Sequence, residues 1–237
     1  MAHIYLAWSL VHLAICTGSL IVFREHRQLM LRSALFSVPT ALYAIAFVPE
    51  YWRPETVAGS VTSPEDVLFS FANGGIVWLL AFGLSGQRVT ARRVPHQWLF
   101  RYLGCTTLFV ATSLPLWLAG LKVMSAGLIG SLVVLGFVGW RCRALWRAAI
   151  GGGLGFMVLY AALLGGVLAV WPHLLLQWNI PNLWGLYLLN IPLEEIVWAL
   201  AYGAVWPLLM AYVFDARPIA QDVNSRDSHP GSGFVVD

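Results

Sequence analysis

Charged side chains are scarce in this chain: of 237 residues only 11% are Asp, Glu, Lys or Arg, and Lys122 is the single lysine. With 59% hydrophobic residues and a mean hydropathy of +0.74, there is too little polar surface to face water. The composition is that of a polytopic membrane protein. The arginines lie in short bridges between apolar runs and form no basic face, so the net charge of +3 gives no reason to expect a nucleic-acid partner. Cysteine is equally sparse: Cys16, Cys105 and Cys142 show no CxxC spacing, and His3, His12, His96 and His173 show no metal-ligand spacing. A nucleophile elbow and a phosphate loop are also missing. The run Gly151-Gly152-Gly153-Leu154-Gly155 has no final glycine at dinucleotide-binding spacing and no strand before it, so close helix packing through Gly151 and Gly155 is expected. No metal and no cofactor are therefore expected. No cleavable leader stands out either, because His3 is the only basic side chain before a first apolar run long enough to cross a bilayer.

What is present is length in the apolar runs. They cover residues 3–23, 33–48, 67–84, 98–118, 123–140, 148–171 and 192–214. Each is near the ~20 residues that a crossing helix needs, and the absence of short alternating strands excludes a barrel. The expected fold class is an all-α integral membrane protein with seven transmembrane helices. Twelve of the fourteen Lys and Arg residues fall in alternate bridges and the tail, leaving Arg53 and Lys122 on the other side. The positive-inside rule then puts the N-terminus outside and the C-terminus in the cytoplasm, in what would be a bacterial inner membrane. The polar segment 215–237 reads as a disordered cytoplasmic tail.

The acids are segregated. Glu50, Glu55, Glu65, Asp66, Glu194 and Glu195 all fall on the outer side, where few basic residues can neutralise them. The stretch Asn190-Ile191-Pro192-Leu193-Glu194-Glu195-Ile196-Val197-Trp198 sets two carboxylates beside hydrocarbon, a costly placement that marks a candidate site. It also has a partner: Pro64-Glu65-Asp66 through Gly74 aligns with Leu193-Glu194-Glu195 through Gly203 at a shift of 129 residues. Arg27-Gln28-Leu29 resembles Arg143-Ala144-Leu145 at a shift of 116, so the later copy carries an insertion. The implied organisation is a first three-helix repeat (1–84), a linker helix (85–122) and a second three-helix repeat (123–214). Two parallel repeats of this kind would build a site where they meet.

Helical spacing puts Glu194, Trp198 and Tyr202 on one face, with Glu65, Phe69 and Asn73 at the matching positions of the earlier copy. An acid beside aromatic faces suits delivery of a proton to an apolar substrate whose cation the rings then hold. A plain structural reading competes for the earlier copy. Ser63 is a good N-cap, Pro64 a good first residue, and Asp66 completes a capping box. The later copy fits a cap less well, since Ile191 is a poor N-cap and Asn190 would leave both glutamates a turn inside.

The Pro-Leu-Glu-Glu stretch at Pro192 to Glu195, the Pro-Glu-Asp at Pro64 to Asp66 and the three-span repeats resemble the heterodimer-type lycopene cyclases of carotenoid biosynthesis, in the fused two-unit form. The resemblance implies acid-catalysed, redox-neutral cyclisation of lycopene-like polyene ends through a carbocation, an intramolecular lyase or isomerase reaction. It implies Glu194 as proton donor with Glu195 setting its protonation state. Glu65 and Asp66 would receive the proton or share the acid role, and Trp198, Tyr202, Phe69 and Asn73 would line the substrate. The implied partners are the hydrophobic polyene, membrane lipid, and a second copy or other carotenoid-pathway enzymes. The sequence departs from the family in having Val197-Trp198 where a Phe-Phe pair is common. Another reading is a small three-plus-one-plus-three membrane transporter or facilitator, whose acidic central path would include Asn73, Asn179, Asn182 and Asn190. A retinal protein would need a lysine inside the last helix, and Lys122 lies in a loop.

Overall fold

A computed structural model describes residues 3–91 and 95–219. Among these, seven helical stretches are long and apolar enough to cross a membrane, as the apolar runs lead one to expect. The helices are α1 (His3–Val22), α2 (Arg27–Ser37), α3 (Ala44–Phe47), α4 (Pro64–Leu84), α5 (Pro95–Leu118), α6 (Val123–Arg141), α7 (Trp146–Val170) and α8 (Leu193–Val213). Two differences from the sequence reading stand out. The second span begins at Arg27, six residues before the apolar run, because a first turn needs no apolar side chain; Arg27 Nε donates to Leu20 O at 3.1 Å. That span then tightens into a 3-10 stretch, Val38–Tyr43, where Pro39 lacks the N–H that an α-helix would use, and it resumes as α3.

α4 packs between α1 and α2, and α8 packs between α6 and α7, while α7 also lies against α4. α4 and α8 are the most buried spans; α5 lies at the periphery against α6 and α8. Glycines permit the closest approaches. A Cβ at Gly74 would stand 2.8 Å from Ser33 O of α2, and one at Gly203 would stand 2.5 Å from Gly152 O of α7. Gly151 and Gly155 face α4, near Ala81 O and Leu84, while Gly152 and Gly153 face α8, so all four support packing and none cradles a phosphate.

At one end, β1 (Val89–Ala91) pairs antiparallel with β4 (Ala216–Pro218). β4 lies in the stretch expected to be an unstructured tail: Thr90 and Arg217 are paired, and Ile219 N donates to Arg88 O at 2.9 Å. The rest of that tail, 220–237, lies outside the described residues. At the other end, β2 (Tyr187–Leu188) and β3 (Ile191–Pro192) form a hairpin whose two turn residues, Leu189 and Asn190, have φ of 51° and 64°. Asn190 thus serves a tight primed turn, a role it tolerates well, and not a helix cap.

Candidate active site

The two acid pairs occupy the same register. α4 starts at Pro64 and α8 at Leu193, so Glu65 and Glu194 are the second helical residues and Asp66 and Glu195 the third. Within each pair the two carboxylates point differently. Glu65 Oε1 accepts from Val57 N at 2.7 Å, and Glu194 Oε1 accepts from Trp184 N, so the first acid of each pair anchors the loop before its helix. Asp66 and Glu195 instead line one cavity of about 280 Å³, and neither Glu65 nor Glu194 does.

Local chemistry explains the partners of the cavity acids. Ser63 caps α4, and Asp66 Oδ2 accepts from Ser63 N and Ser63 Oγ at 2.8 Å each, the capping box that the sequence indicates. Its other oxygen, Oδ1, accepts from Tyr5 Oη at 2.6 Å, so the cap and the cavity share one carboxylate. α8 has Pro192 at the cap position, with no side-chain oxygen and no N–H for a carboxylate to take. Glu195 is therefore free of its own helix end and accepts from Tyr51 Oη at 2.8 Å, Trp178 Nε1 at 2.8 Å and Tyr160 Oη at 2.6 Å. Burial and the adjacent Glu195 carboxylate push the Tyr51 phenol well above its ordinary range, which keeps it a donor.

Aromatic rings connect the acids. Tyr5 meets Trp52 edge-on at 4.9 Å, Trp52 lies 5.6 Å from Trp178, and Trp178 donates to Glu195. Trp198, Tyr202 and Trp206 stack as a ladder along α8 at 5.4 and 5.7 Å, and Phe69 of α4 stacks on Trp198 at 6.4 Å with an interplanar angle of 18°. The equivalent aromatics of the two acid-bearing helices therefore touch. Glu195 lies three residues before Trp198, and Asp66 three before Phe69. Neighbours at i+3 share a helix face as well as those at i+4, and the i+4 choice alone had favoured Glu194 and Glu65. Asn73 is buried outside the cavity lining, and its amide makes no side-chain hydrogen bond.

Three loops close this end. Arg53 N donates to Gln177 O at 2.6 Å, Asn179 N to Tyr51 O at 2.9 Å, and the side-chain amides of Asn179 and Asn182 donate to Glu50 O at 3.0 and 2.8 Å. The Glu50 carboxylate accepts from Trp117 Nε1 and Val123 N, joining the clasp to the α5–α6 turn. Asn179 and Asn182 thus hold loops together, and none of Asn73, Asn179, Asn182 and Asn190 lines the cavity, which gives the transporter reading no support. Among the described residues no three His, Cys, Asp or Glu side chains are grouped as a metal site.

Sequence reasoning missed Tyr5, Tyr51, Tyr160 and Trp178. The readable signal was a polar-tipped ring in an aliphatic run, such as Tyr160 in Met157-Val158-Leu159-Tyr160-Ala161, which must find a partner when buried.

Comparison with known proteins gives one family match. Residues 122–213 match the family model described as Lycopene cyclase. No curated protein and no solved structure matches the chain. The matched stretch takes in α6, α7 and α8, and with them Tyr160, Trp178, Glu195 and the aromatic ladder. The residues that match this lycopene cyclase family model, 122–213, form one wall of the cavity.

Proposed function

We propose that the protein is an integral membrane enzyme that cyclises the end group of a lycopene-like polyene by acid catalysis. The observation that carries this reading is that Asp66 and Glu195, from the two acid-bearing helices, line one cavity whose other walls are largely aromatic and aliphatic. At about 280 Å³ the cavity is at the small end for ligand sites, which suits the end of a long hydrocarbon whose remainder lies outside.

The chemistry needs a carboxyl that gives a proton and a carboxylate that takes one. One acid of the Asp66–Glu195 pair protonates the terminal C=C bond, leaving a tertiary cation. The electrons of an internal C=C bond form the new ring C–C bond and move the cation into the ring. A ring C–H then yields its proton to the other carboxylate, restoring a double bond, with no change in redox state. Phe69, Trp198 and Tyr202 line the cavity beside the cation, and their ring-lined wall limits the water that would trap it as an alcohol. Tyr5, Tyr51, Tyr160 and Trp178 hold the two carboxyls in position. Glu194 and Glu65 become loop anchors in this reading and not the donor.

The parallel repeats are part of the proposal. They are supported by the common register of the acid pairs, by the placement of α4 and α8 each between two neighbours, and by the close approaches at the aligned Gly74 and Gly203. The orientation, with the acid end outside and the tail in the cytoplasm, is supported by the arginine bias.

Expression of the full chain in cells that accumulate lycopene tests the function. One-ring or two-ring products are expected on pigment analysis. Unchanged lycopene from cells containing folded protein would overturn the cyclase reading.

A further inference from the structure

At the end of the bundle away from the carboxylates, a second pocket lies between α5, the α6–α7 turn, the end of α8 and β4. Among the described residues four arginines line it, Arg101, Arg141, Arg143 and Arg217, with one acidic residue, Asp215. Asp215 stands 3.7 Å from Arg101 and 3.9 Å from Arg217, so among the described lining residues cationic groups outnumber acidic ones. Two of the cationic groups are held in place. Arg101 Nη1 donates to Tyr212 O at 2.8 Å with its side chain only 27% exposed, and Arg141 lies over the rings of Trp140 and Tyr212 at 5.8 Å each. Cys142, also in the lining, adds no negative charge, since burial pushes its thiol up to about 11.

A second feature leads out of the pocket. The Tyr212 wall meets Phe137 of α6 edge-on at 5.5 Å. Phe137 lies one turn before Arg141, and Val133 one turn before that; both are exposed, as are Leu132 and Trp140 beside them. A basic pocket thus continues into an apolar strip running along α6 toward the middle of the span. A soluble anion would match the pocket alone, and a hydrocarbon the strip alone. A molecule with an anionic group such as phosphate joined to a long chain matches both.

We infer that this pocket binds the phosphate of an anionic phospholipid, with an acyl chain along Phe137 and Val133. The inference rests on the membrane reading and is independent of the cyclase chemistry. The bound lipid clamps the α6–α7 turn to the end of α8, and these helices supply one wall of the cavity at the other end.

The test uses the purified full chain in detergent, with lipid binding read by native mass spectrometry and thermal unfolding. The probes are phosphatidylglycerol, phosphatidylcholine and inorganic phosphate. Phosphatidylglycerol is expected to bind at least tenfold more tightly than phosphatidylcholine. Its binding should weaken about fivefold for each arginine removed in Arg141→Gln and the double variant R141Q/R143Q. Arg24→Gln, outside the pocket, should keep the preference and shows that loss of any surface charge is not enough. Equal binding of the two lipids, or an unchanged preference in R141Q/R143Q, would overturn the site. Inorganic phosphate binding as tightly as phosphatidylglycerol would overturn the lipid assignment in favour of a free anion.

Discussion

The helix starts at Ser63–Asp66 and Pro192–Glu195 share one register and differ in what caps them. In the first, Ser63 supplies both a hydroxyl and an N–H, and Asp66 divides its oxygens between its own helix end and Tyr5. In the second, Pro192 supplies neither, and Glu195 gives both oxygens to groups from outside its helix, Tyr51, Tyr160 and Trp178. The difference is that a serine cap takes up one oxygen of the cavity acid, whereas a proline at the same position leaves both oxygens to groups from outside the helix. At Asp66 the helix cap and the contact with Tyr5 use different oxygens of one carboxylate, so capping does not by itself exclude the proposed proton-transfer role.

The sharpest way to break the comparison is to remove the cavity acids and their neighbours in turn. Glu195→Gln and Asp66→Asn should each lower cyclisation by about 10²–10⁴-fold, the range for loss of a general acid or base. Pigment conversion per amount of folded protein checks this. Glu194→Gln and Glu65→Gln weaken a loop anchor and should lower stability while keeping most of the turnover per folded molecule. Equal loss of turnover in Glu194→Gln and Glu195→Gln, with stability intact, would show that facing the cavity does not define the proton-transferring pair.

A smaller effect separates the two sets of partners. Among the hydrogen bonds described, Tyr160→Phe removes the only partner of Glu195 Oε2 and Tyr5→Phe the only partner of Asp66 Oδ1. A hydrogen bond to a charged group is worth about 1.5–3 kcal/mol, so each variant should lose roughly 10–100-fold in turnover. The loss should be larger for Tyr160→Phe, because Asp66 stays fixed through Oδ2 to Ser63 at its own helix start, whereas the remaining donors to Glu195, Tyr51 and Trp178, both come from loops and share Oε1. Rates measured at one level of folded protein decide the order; a larger loss in Tyr5→Phe would mean that the helix cap does not hold Asp66 in position.

The spans were readable because each apolar run must satisfy its backbone within a helix, and the seven observed helices follow those runs closely. The start at Arg27 and the 3-10 break at Pro39 were not, since hydropathy carries no information about a polar first turn or a missing N–H. The acid pairs and the rings Phe69, Trp198 and Tyr202 were readable from charge scarcity and spacing. Which acid of each pair faces the cavity was not, because i+3 and i+4 neighbours compete for one face and loops 48–63 and 171–192 decide the outcome by taking up Glu65 and Glu194. The clasp itself, from Glu50 to Asn179 and Asn182, joins residues more than a hundred positions apart with no periodic signal between them.

The mildest change tests the capping residue that separates the two starts. Ser63→Ala removes the hydroxyl of the first cap and should cost about 1 kcal/mol of stability, read as a lower midpoint of thermal unfolding, with turnover per folded molecule largely kept. Pro192→Ser makes the opposite change, giving α8 both the hydroxyl and the N–H it lacks. Glu195 is the third helical residue, so it is placed to reach back to that N–H as Asp66 does to Ser63, and a capping box would draw it away from Tyr160, Tyr51 and Trp178. A cap worth about 1 kcal/mol shifts the ratio of the two orientations roughly fivefold toward the cap, so turnover should fall by at most about fivefold while stability holds or rises. Unchanged turnover in Pro192→Ser, alongside the expected loss of stability in Ser63→Ala, would mean that the proline does not set the direction of Glu195. The surrounding phenols and the Trp178 indole would then be sufficient to hold it.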